Sequence, residues 1–337
     1  MTHAEPQLDS GLKLEEVPCD YCGATAADPL LVGRDRMCGV PGTFQVVTCR
    51  QCGLARTNPR PTLATLGRAY TSDYVCHQES TMPSGAPRGF LRWALVNYGG
   101  YPLGRRAPAL VRWLAWPLAS ARLRDRKLVY YLPYEGQGRL LDFGCGVGRY
   151  VALMSAAGWK AEGIDLSAAA VKTGRDAGLT LHEGTLPGTA LPEASYDLVT
   201  MWHALEHVPS PMATLKAVRP LLGPGGRLVV VCPLIDSLAS QWFGAAWFGM
   251  GELPRHLTHF TQATLRRHLE TAGFVVERAQ PIRRPAFVRR SFGYLADDTG
   301  RAIHRRLARS HLLARLASHW ESLLGRTDEV LFVARRS

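Results

Sequence analysis

What most limits the fold of this chain is a glycine turn set between a strand pattern and a helix pattern. Leu140-Leu141-Asp142-Phe143 reads as a short buried strand, Gly144-Cys145-Gly146-Val147-Gly148 follows, and Arg149–Ala157 has helical spacing. A strand that enters a helix through glycine lets the backbone pass close to a ligand at the helix N-terminus. The alternation continues along the chain. Strands are expected at Arg139–Phe143, Lys160–Asp165, Leu179–Glu183, Tyr196–Met201, Arg227–Cys232, Phe274–Arg278 and Val330–Val333. Helices are expected from a cap at Ser167 to Ala177, over Pro211–Leu222 and over Thr261–Ala272. Such alternation implies a parallel, doubly wound α/β sheet.

The turn alone suits a dinucleotide, S-adenosylmethionine or a plain tight turn. Asp165, in Gly163-Ile164-Asp165-Leu166 at the end of the second strand, can accept both hydroxyls of a ribose. Asp142 would repel a pyrophosphate and suit an ammonium. At this point the chain resembles the class I S-adenosylmethionine-dependent methyltransferases. The resemblance covers about residues 138–281 and takes in Glu183-Gly184-Thr185-Leu186, Ser195-Tyr196-Asp197-Leu198-Val199 and Leu221-Leu222-Gly223-Pro224-Gly225-Gly226-Arg227-Leu228. It implies a Rossmann-like seven-stranded sheet whose last strand, Asp328–Ala334, lies antiparallel beside the sixth. It also implies S-adenosylmethionine as cofactor. The positions that match its binding groups are Asp142, Gly144, Cys145, Gly146, Gly148, Asp165, Leu166, Gly184, Thr185 and Leu186, with His203 beside the methionine end.

Four of the eight cysteines fall in Cys19-Asp20-Tyr21-Cys22-Gly23 and Cys49-Arg50-Gln51-Cys52-Gly53. The spacing lets both thiolates of a pair meet one ion, and the glycine turns backbone amides towards sulfur. Two such knuckles imply a closed structural Zn2+ site on Cys19, Cys22, Cys49 and Cys52. The 26 intervening residues leave room for a β-hairpin with Thr43–Thr48 as one strand. With Asn58-Pro59-Arg60-Pro61 after it, this ribbon is similar to the N-terminal zinc-binding module of bacterial methyltransferases that include sugar C-methyltransferases. Cys38, Cys76, Cys145 and Cys232 are isolated and expected to be buried or incidental thiols. The expected organisation is a tail at 1–17, the ribbon at 18–61, a basic, aromatic, helical linker or lid at 62–134, and the methyltransferase domain at 135–337 with a helical insertion at about 283–326.

After the fourth strand comes Trp202-His203-Ala204-Leu205-Glu206-His207, at the carboxyl edge where doubly wound sheets bind ligands. On one helical turn His203, Glu206 and His207 would share a face. His256 and His259, in Arg255-His256-Leu257-Thr258-His259, should return to the same edge. Methyl transfer from a sulfonium needs an aligned and deprotonated acceptor. The expected roles are therefore His207 or His203 as base, Glu206 orienting it, and His256 or His259 holding the acceptor. A purely structural role for the cluster stays open, and so does a metal site. Ubiquinone-pathway O-methyltransferases are similar here, with a Glu-x-x-Glu-His metal motif whose first Glu is His203 in this chain.

The net charge of +12 is unevenly placed. Residues 88–127 hold nine basic side chains against one acid, and 255–337 hold sixteen arginines against seven acids. Trp93, Trp113 and Trp116 interleave with the first group, which includes Arg122, Arg124 and Arg126, and residues 301–324 read as a basic amphipathic helix. These flanks suit a lid, a grip on phosphate, or peripheral contact with an anionic membrane. No RNA-binding module is recognisable, so nucleic acid is the least favoured partner. No apolar run spans a bilayer and the polar N-terminus is unlike a secretory signal, so a cytoplasmic protein is expected, with any membrane contact at the inner surface. The expected function is methyl transfer to carbon or oxygen of a small or lipid-linked, anionic acceptor of sugar or secondary-metabolite type. The alternatives are an RNA methyltransferase and a non-catalytic, cofactor-binding interaction protein. No Asn/Asp-Pro-Pro-Tyr/Phe sequence follows the fourth strand, which argues against methylation of base amino groups.

Overall fold

The computed structural model describes residues 11–71, 74, 86–123 and 130–337. The tail up to residue 10, the linker at 75–85 with Cys76, Arg124 and Arg126 lie outside the described residues, as does the Arg122 side chain. The N-terminal part opens with β1 (Leu14–Glu15), then β2 (Ala27–Gly33), β3 (Phe44–Cys49) and β4 (Ala55–Thr57), the last three joined antiparallel in sequence. β5 (Arg60–Pro61) returns to pair with β1. The expected hairpin is therefore β2–β3, with Phe44 and Val46 turned inward. α1 (Leu63–Leu66), α2 (Gly89–Tyr98) and α3 (Ala109–Leu123) follow. α3 carries Pro117 in its interior.

The remainder alternates β6 (Arg139–Phe143), α4 (Arg149–Ala156), β7 (Lys160–Asp165), α5 (Ala168–Asp176), β8 (Thr180–Glu183) and β9 (Tyr196–Trp202). It continues with α6 (Pro211–Val218), β10 (Leu222–Pro233), α7 (Leu238–Phe243), β11 (Thr258–His259), α8 (Gln262–Thr271) and β12 (Phe274–Ile282). An insertion of α9 (Pro285–Thr299), α10 (Ala302–Arg309) and α11 (His311–Leu323) precedes β13 (Glu329–Arg336). The amphipathic stretch expected as one helix is two, because Ser310 is extended and its side chain caps α11 through the Leu313 amide.

The main sheet has the order β12-β13-β10-β9-β6-β7-β8. β13 is antiparallel to both neighbours and the rest are parallel, as the resemblance implies. Register places Phe143 of β6 opposite Met201 of β9 and Ile164 of β7. The glycine turn, His203 and Asp165 therefore leave the sheet at one carboxyl edge. Helices cover both faces. Leu95, Tyr101, Met154, Trp159 and Val171 bury one, and Leu205, Leu215, Phe260, Leu265 and Leu269 the other.

The ribbon is not a separate bead. Cys19, Cys49 and Leu54 pack into the same core as Leu205 and Phe260. Its sheet takes a fourth strand from far along the chain, since β11 pairs antiparallel with β4, Thr258 opposite Arg56 and His259 opposite Ala55. The boundary expected at residue 61 thus cuts a shared sheet. The fully buried Arg255 guanidinium grips Asp35 of the ribbon with two 2.8 Å bonds, a second clamp across that boundary.

Candidate active site and the four-cysteine cluster

The cofactor edge comes first. Gly144, Gly146 and Gly148 have φ of +74°, +54° and +81°, which side chains disfavour. A Cβ on Gly144 would lie 2.7 Å from that of Ala204, and one on Gly148 would lie 2.7 Å from Leu179. The loop amides are already used: Gly144 and Cys145 both donate to the Ile164 carbonyl, Gly146 to Asp165 Oδ2 at 2.8 Å, and Gly148 to the Cys145 carbonyl. A pyrophosphate would need those amides free, so a dinucleotide fits poorly.

S-adenosylmethionine fits better. Asp165 is held by the Gly146 and Ser167 amides, leaving carboxylate lone pairs for a ribose diol. Leu166 beside it leaves 71% of its side chain exposed, an apolar surface where a base could rest. Asp142 is buried, and burial raises its pKa to about 7 against the lowering effect of the Thr200 hydroxyl. An ammonium would relieve that cost.

At two of the expected positions the side chain turns away from the carboxyl edge. The Cys145 side chain packs against Gly163, and Leu186 is buried in the core beneath the sheet. Their apolar side chains were drawn to the nearest core. Gly184, at φ +140°, ties the strand end to Asp165 through a 2.9 Å backbone bond, with Thr185 following half-buried.

At the acceptor edge the shared helical face does not form. Leu205–His207 is a 3-10 turn, and His203 precedes it in the left-handed region at φ +51°. Its ring lies between two buried carboxylates: Nδ1 is 3.5 Å from Glu206 Oε1 and Nε2 is 3.3 Å from Glu329 Oε1. Burial opposes its charge, yet Glu329 and Glu206 hold its pKa well above the ordinary value. Burial likewise opposes ionisation of Glu206, but His203 brings it down to about 2. The charged form of His203 is thus favoured, which suits it poorly to act as the base. Glu206 serves His203 rather than His207.

His207 is the opposite case. Burial, and then the neighbouring His256, lower its pKa to about 4, so it is neutral. Its Nδ1 is 3.1 Å from the Tyr70 hydroxyl and its Nε2 is 4.0 Å from Glu252 Oε2. The ring is mostly buried, with 12% of its side chain exposed. His256 and His259 are both buried, which corrects their expected contact with an acceptor. His256 Nδ1 faces the Gly249 carbonyl at 3.1 Å, and His259 Nε2 lies 3.0 Å from Thr57 Oγ1. That hydroxyl donates to the His256 carbonyl, so it must accept from His259 Nε2–H. Burial and His256 lower the pKa of His259 to about 3. These two rings brace the edge.

Sequence reasoning missed Thr57, Tyr70, Glu252, Arg284 and Glu329. Arg284 binds Glu329 and reaches the Tyr130 hydroxyl at 3.2 Å. Only Glu252 carried a signal, lying just before the histidine group. One ligand atom each from Glu206, His207 and His256 also falls within 4.8 Å of the others.

The four cysteines converge as expected. Cys19 and Cys52 Sγ are 3.4 Å apart, and Cys22 and Cys49 Sγ 3.5 Å, far beyond a disulfide bond. The two knuckles repeat one geometry, with Gly23 at φ +74° and Gly53 at +77°, each donating to the carbonyl of its first cysteine. A tetrahedron of ~2.3 Å zinc–sulfur bonds has edges of about 3.8 Å, close to this cluster. Arg56 gives a second fit. Its buried guanidinium bonds the Val17 and Thr25 carbonyls around the first knuckle and leaves Nη1 without a partner among the described residues. A buried cation of this kind is at home beside four thiolates on one divalent ion.

Comparison with known proteins agrees with this geometry. A family described as "Methyltransferase domain" matches residues 117–279. A ubiquinone biosynthesis O-methyltransferase of Burkholderia ambifaria (strain MC40-6) is 38% identical over 193 residues, 55% of this chain and 75% of the relative. The chain belongs to the class I S-adenosylmethionine-dependent methyltransferases. A protein of the same name from Cereibacter sphaeroides (strain ATCC 17029 / ATH 2.4.9) is 32% identical over 43% of this methyltransferase, which spans 61% of that relative's length. A solved S-adenosylmethionine-dependent methyltransferase from Mesorhizobium loti matches 66% of this chain and 97% of its own at 22% identity and a TM-score of 0.43.

Proposed function

We propose that this methyltransferase methylates a hydroxyl oxygen of a small acceptor, with His207 removing the acceptor's proton. The observation that carries this reading is a neutral histidine, mostly buried but still reached by solvent, set between Tyr70 and Glu252 at the carboxyl edge. S-adenosylmethionine, when bound, supplies an electrophilic methyl group on sulfur. Asp165 would hold its ribose, Leu166 would cover the base, and Asp142 would face its ammonium. In the tautomer that donates Nδ1–H to Tyr70, His207 would keep its lone pair at Nε2 and take the hydroxyl proton there. Glu252 stands close enough to stabilise the imidazolium that results. His203, already charged, would orient the acceptor or the methionine end. The similarity to ubiquinone biosynthesis O-methyltransferases supports oxygen over carbon as the acceptor atom.

The experiment is incubation with methyl-labelled cofactor and a panel of phenols, sugar nucleotides and RNA. Label recovered as a base-stable ether on a small molecule is expected. Label on RNA, or on carbon, overturns the reading. Activity abolished by a chelator and restored by a divalent ion would transfer the role to a metal on Glu206, His207 and His256. The four-cysteine cluster is read as a structural zinc site, and elemental analysis should find zinc equimolar with the chain. Protein that folds with far less would sink that assignment.

A further inference from the structure

The last two helices of the insertion between β12 and β13 turn their apolar side outward. In α11 the residues packed on the protein are Ala314, Ser318 and Glu321, one helical face of small or polar groups. The large residues, Leu312, Leu313, Leu316, Trp320 and Leu323, are all exposed, as is Ile303 of α10. Their spacing makes a stripe along the helix. A soluble surface rarely carries such a stripe without something to cover it.

Charge identifies the cover. Between residues 300 and 326 the chain holds six arginines and a single acid, Glu321, which is buried. Arg301, Arg305, Arg306 and Arg309 run along or beside α10, and Arg315 flanks the stripe on α11. A second copy of this chain seated face to face would set these arginines against their own kind. Nucleic acid would match the charge but leave the leucines unsatisfied. An anionic bilayer meets both, with apolar side chains and Trp320 at the headgroup boundary and arginines on the phosphates. Among the described residues no helix is long and apolar enough to cross a membrane. We propose that the α10–α11 face docks this protein peripherally on anionic lipid. The insertion begins beside Arg284 and ends at Glu329, so docking would be tied at both ends to the groups around His203.

The test is co-sedimentation of the full chain with vesicles of phosphatidylcholine alone or mixed with phosphatidylglycerol, at low and high salt. Binding to the mixed vesicles only, weakened by salt, is expected. The variant Leu312→Gln/Leu316→Gln/Trp320→Gln should lose at least about tenfold in partitioning, as should Arg305→Gln/Arg306→Gln/Arg309→Gln, with melting temperature unchanged. Equal binding to neutral vesicles, or undiminished binding by either variant, overturns the proposal. So does wild-type dimerisation that the leucine variant disperses. A control, Trp113→Gln/Trp116→Gln on α3, should bind as wild type, and loss there alone would move the contact off α11.

Discussion

The cofactor edge draws its groups from one continuous stretch, Asp142 to Leu186, in which each strand hands directly to its loop. The acceptor edge draws on Thr57, Tyr70, His203, His207, Glu252, His256 and Glu329, brought together by a shared sheet, a buried ion pair and an insertion. One half is made by local geometry and the other by docking of the ribbon. The two should therefore fail separately. Damage to the ribbon or to the histidines should spare cofactor binding, and damage to the glycine-loop region should spare the arrangement of the histidines.

The largest effect expected is on turnover. His207→Ala should lower kcat by about 10²–10⁴-fold, the usual range for a general base, while the cofactor dissociation constant measured by calorimetry stays within about twofold. If cofactor affinity fell in parallel, the two edges would not be separable as drawn. Stripping the zinc proposed for the cysteine cluster tests the same division from further away. Because β4 carries β11 and the Thr57–His259 bond, zinc removal should abolish methyl transfer yet leave cofactor binding measurable. Loss of both together would mean that the whole chain unfolds as one unit.

Asp165→Asn probes the other side. The variant keeps one oxygen for the Gly146 amide but loses the acceptor of the Ser167 amide and the charge that strengthens bonds to ribose hydroxyls. Such charge-assisted bonds contribute about 1.5–3 kcal/mol, so cofactor affinity should fall roughly 10–100-fold with kcat at saturation little changed. A drop confined to kcat would place Asp165 in the chemistry instead.

The same contrast explains what was legible in the sequence. Every strand of the main sheet and the Ser167 cap could be read, because period and turn residues act within a few positions, whereas the antiparallel setting of the last strand came from the family resemblance. The cysteine knuckles could be read because each is a local spacing. The histidines were found, but their roles were not. Nothing near His203 announces Glu329, which arrives on the last strand and fixes its charge. Nothing near His259 announces that Thr57 will bury it under the ribbon. Tyr70 sits in a short helical stretch with no motif at all. A side chain's tertiary neighbours decide whether a histidine is a base, a cation or a brace, and local pattern does not encode them.

The smallest and most specific effect concerns pH. Asp142 is buried, and that burial raises its pKa to about 7, far above the usual carboxylate value. In the free protein the folded state therefore holds a proton that the unfolded state has already released between about pH 4 and 7. Stability from this group must fall as pH rises through that window. An ammonium placed near the carboxylate reverses the preference, since it favours the ionised form. Cofactor affinity should then rise with pH, by up to tenfold per unit below about 7, and level off above it. The α-amino group itself stays largely protonated below about pH 7, so the titration there belongs to the protein. Asp142→Asn should bind more weakly at about pH 7 and show a flat profile from about pH 5.5 to 7. A variant that kept the wild-type slope would assign the titration to another group and leave Asp142 a purely structural acid bonded to Thr200.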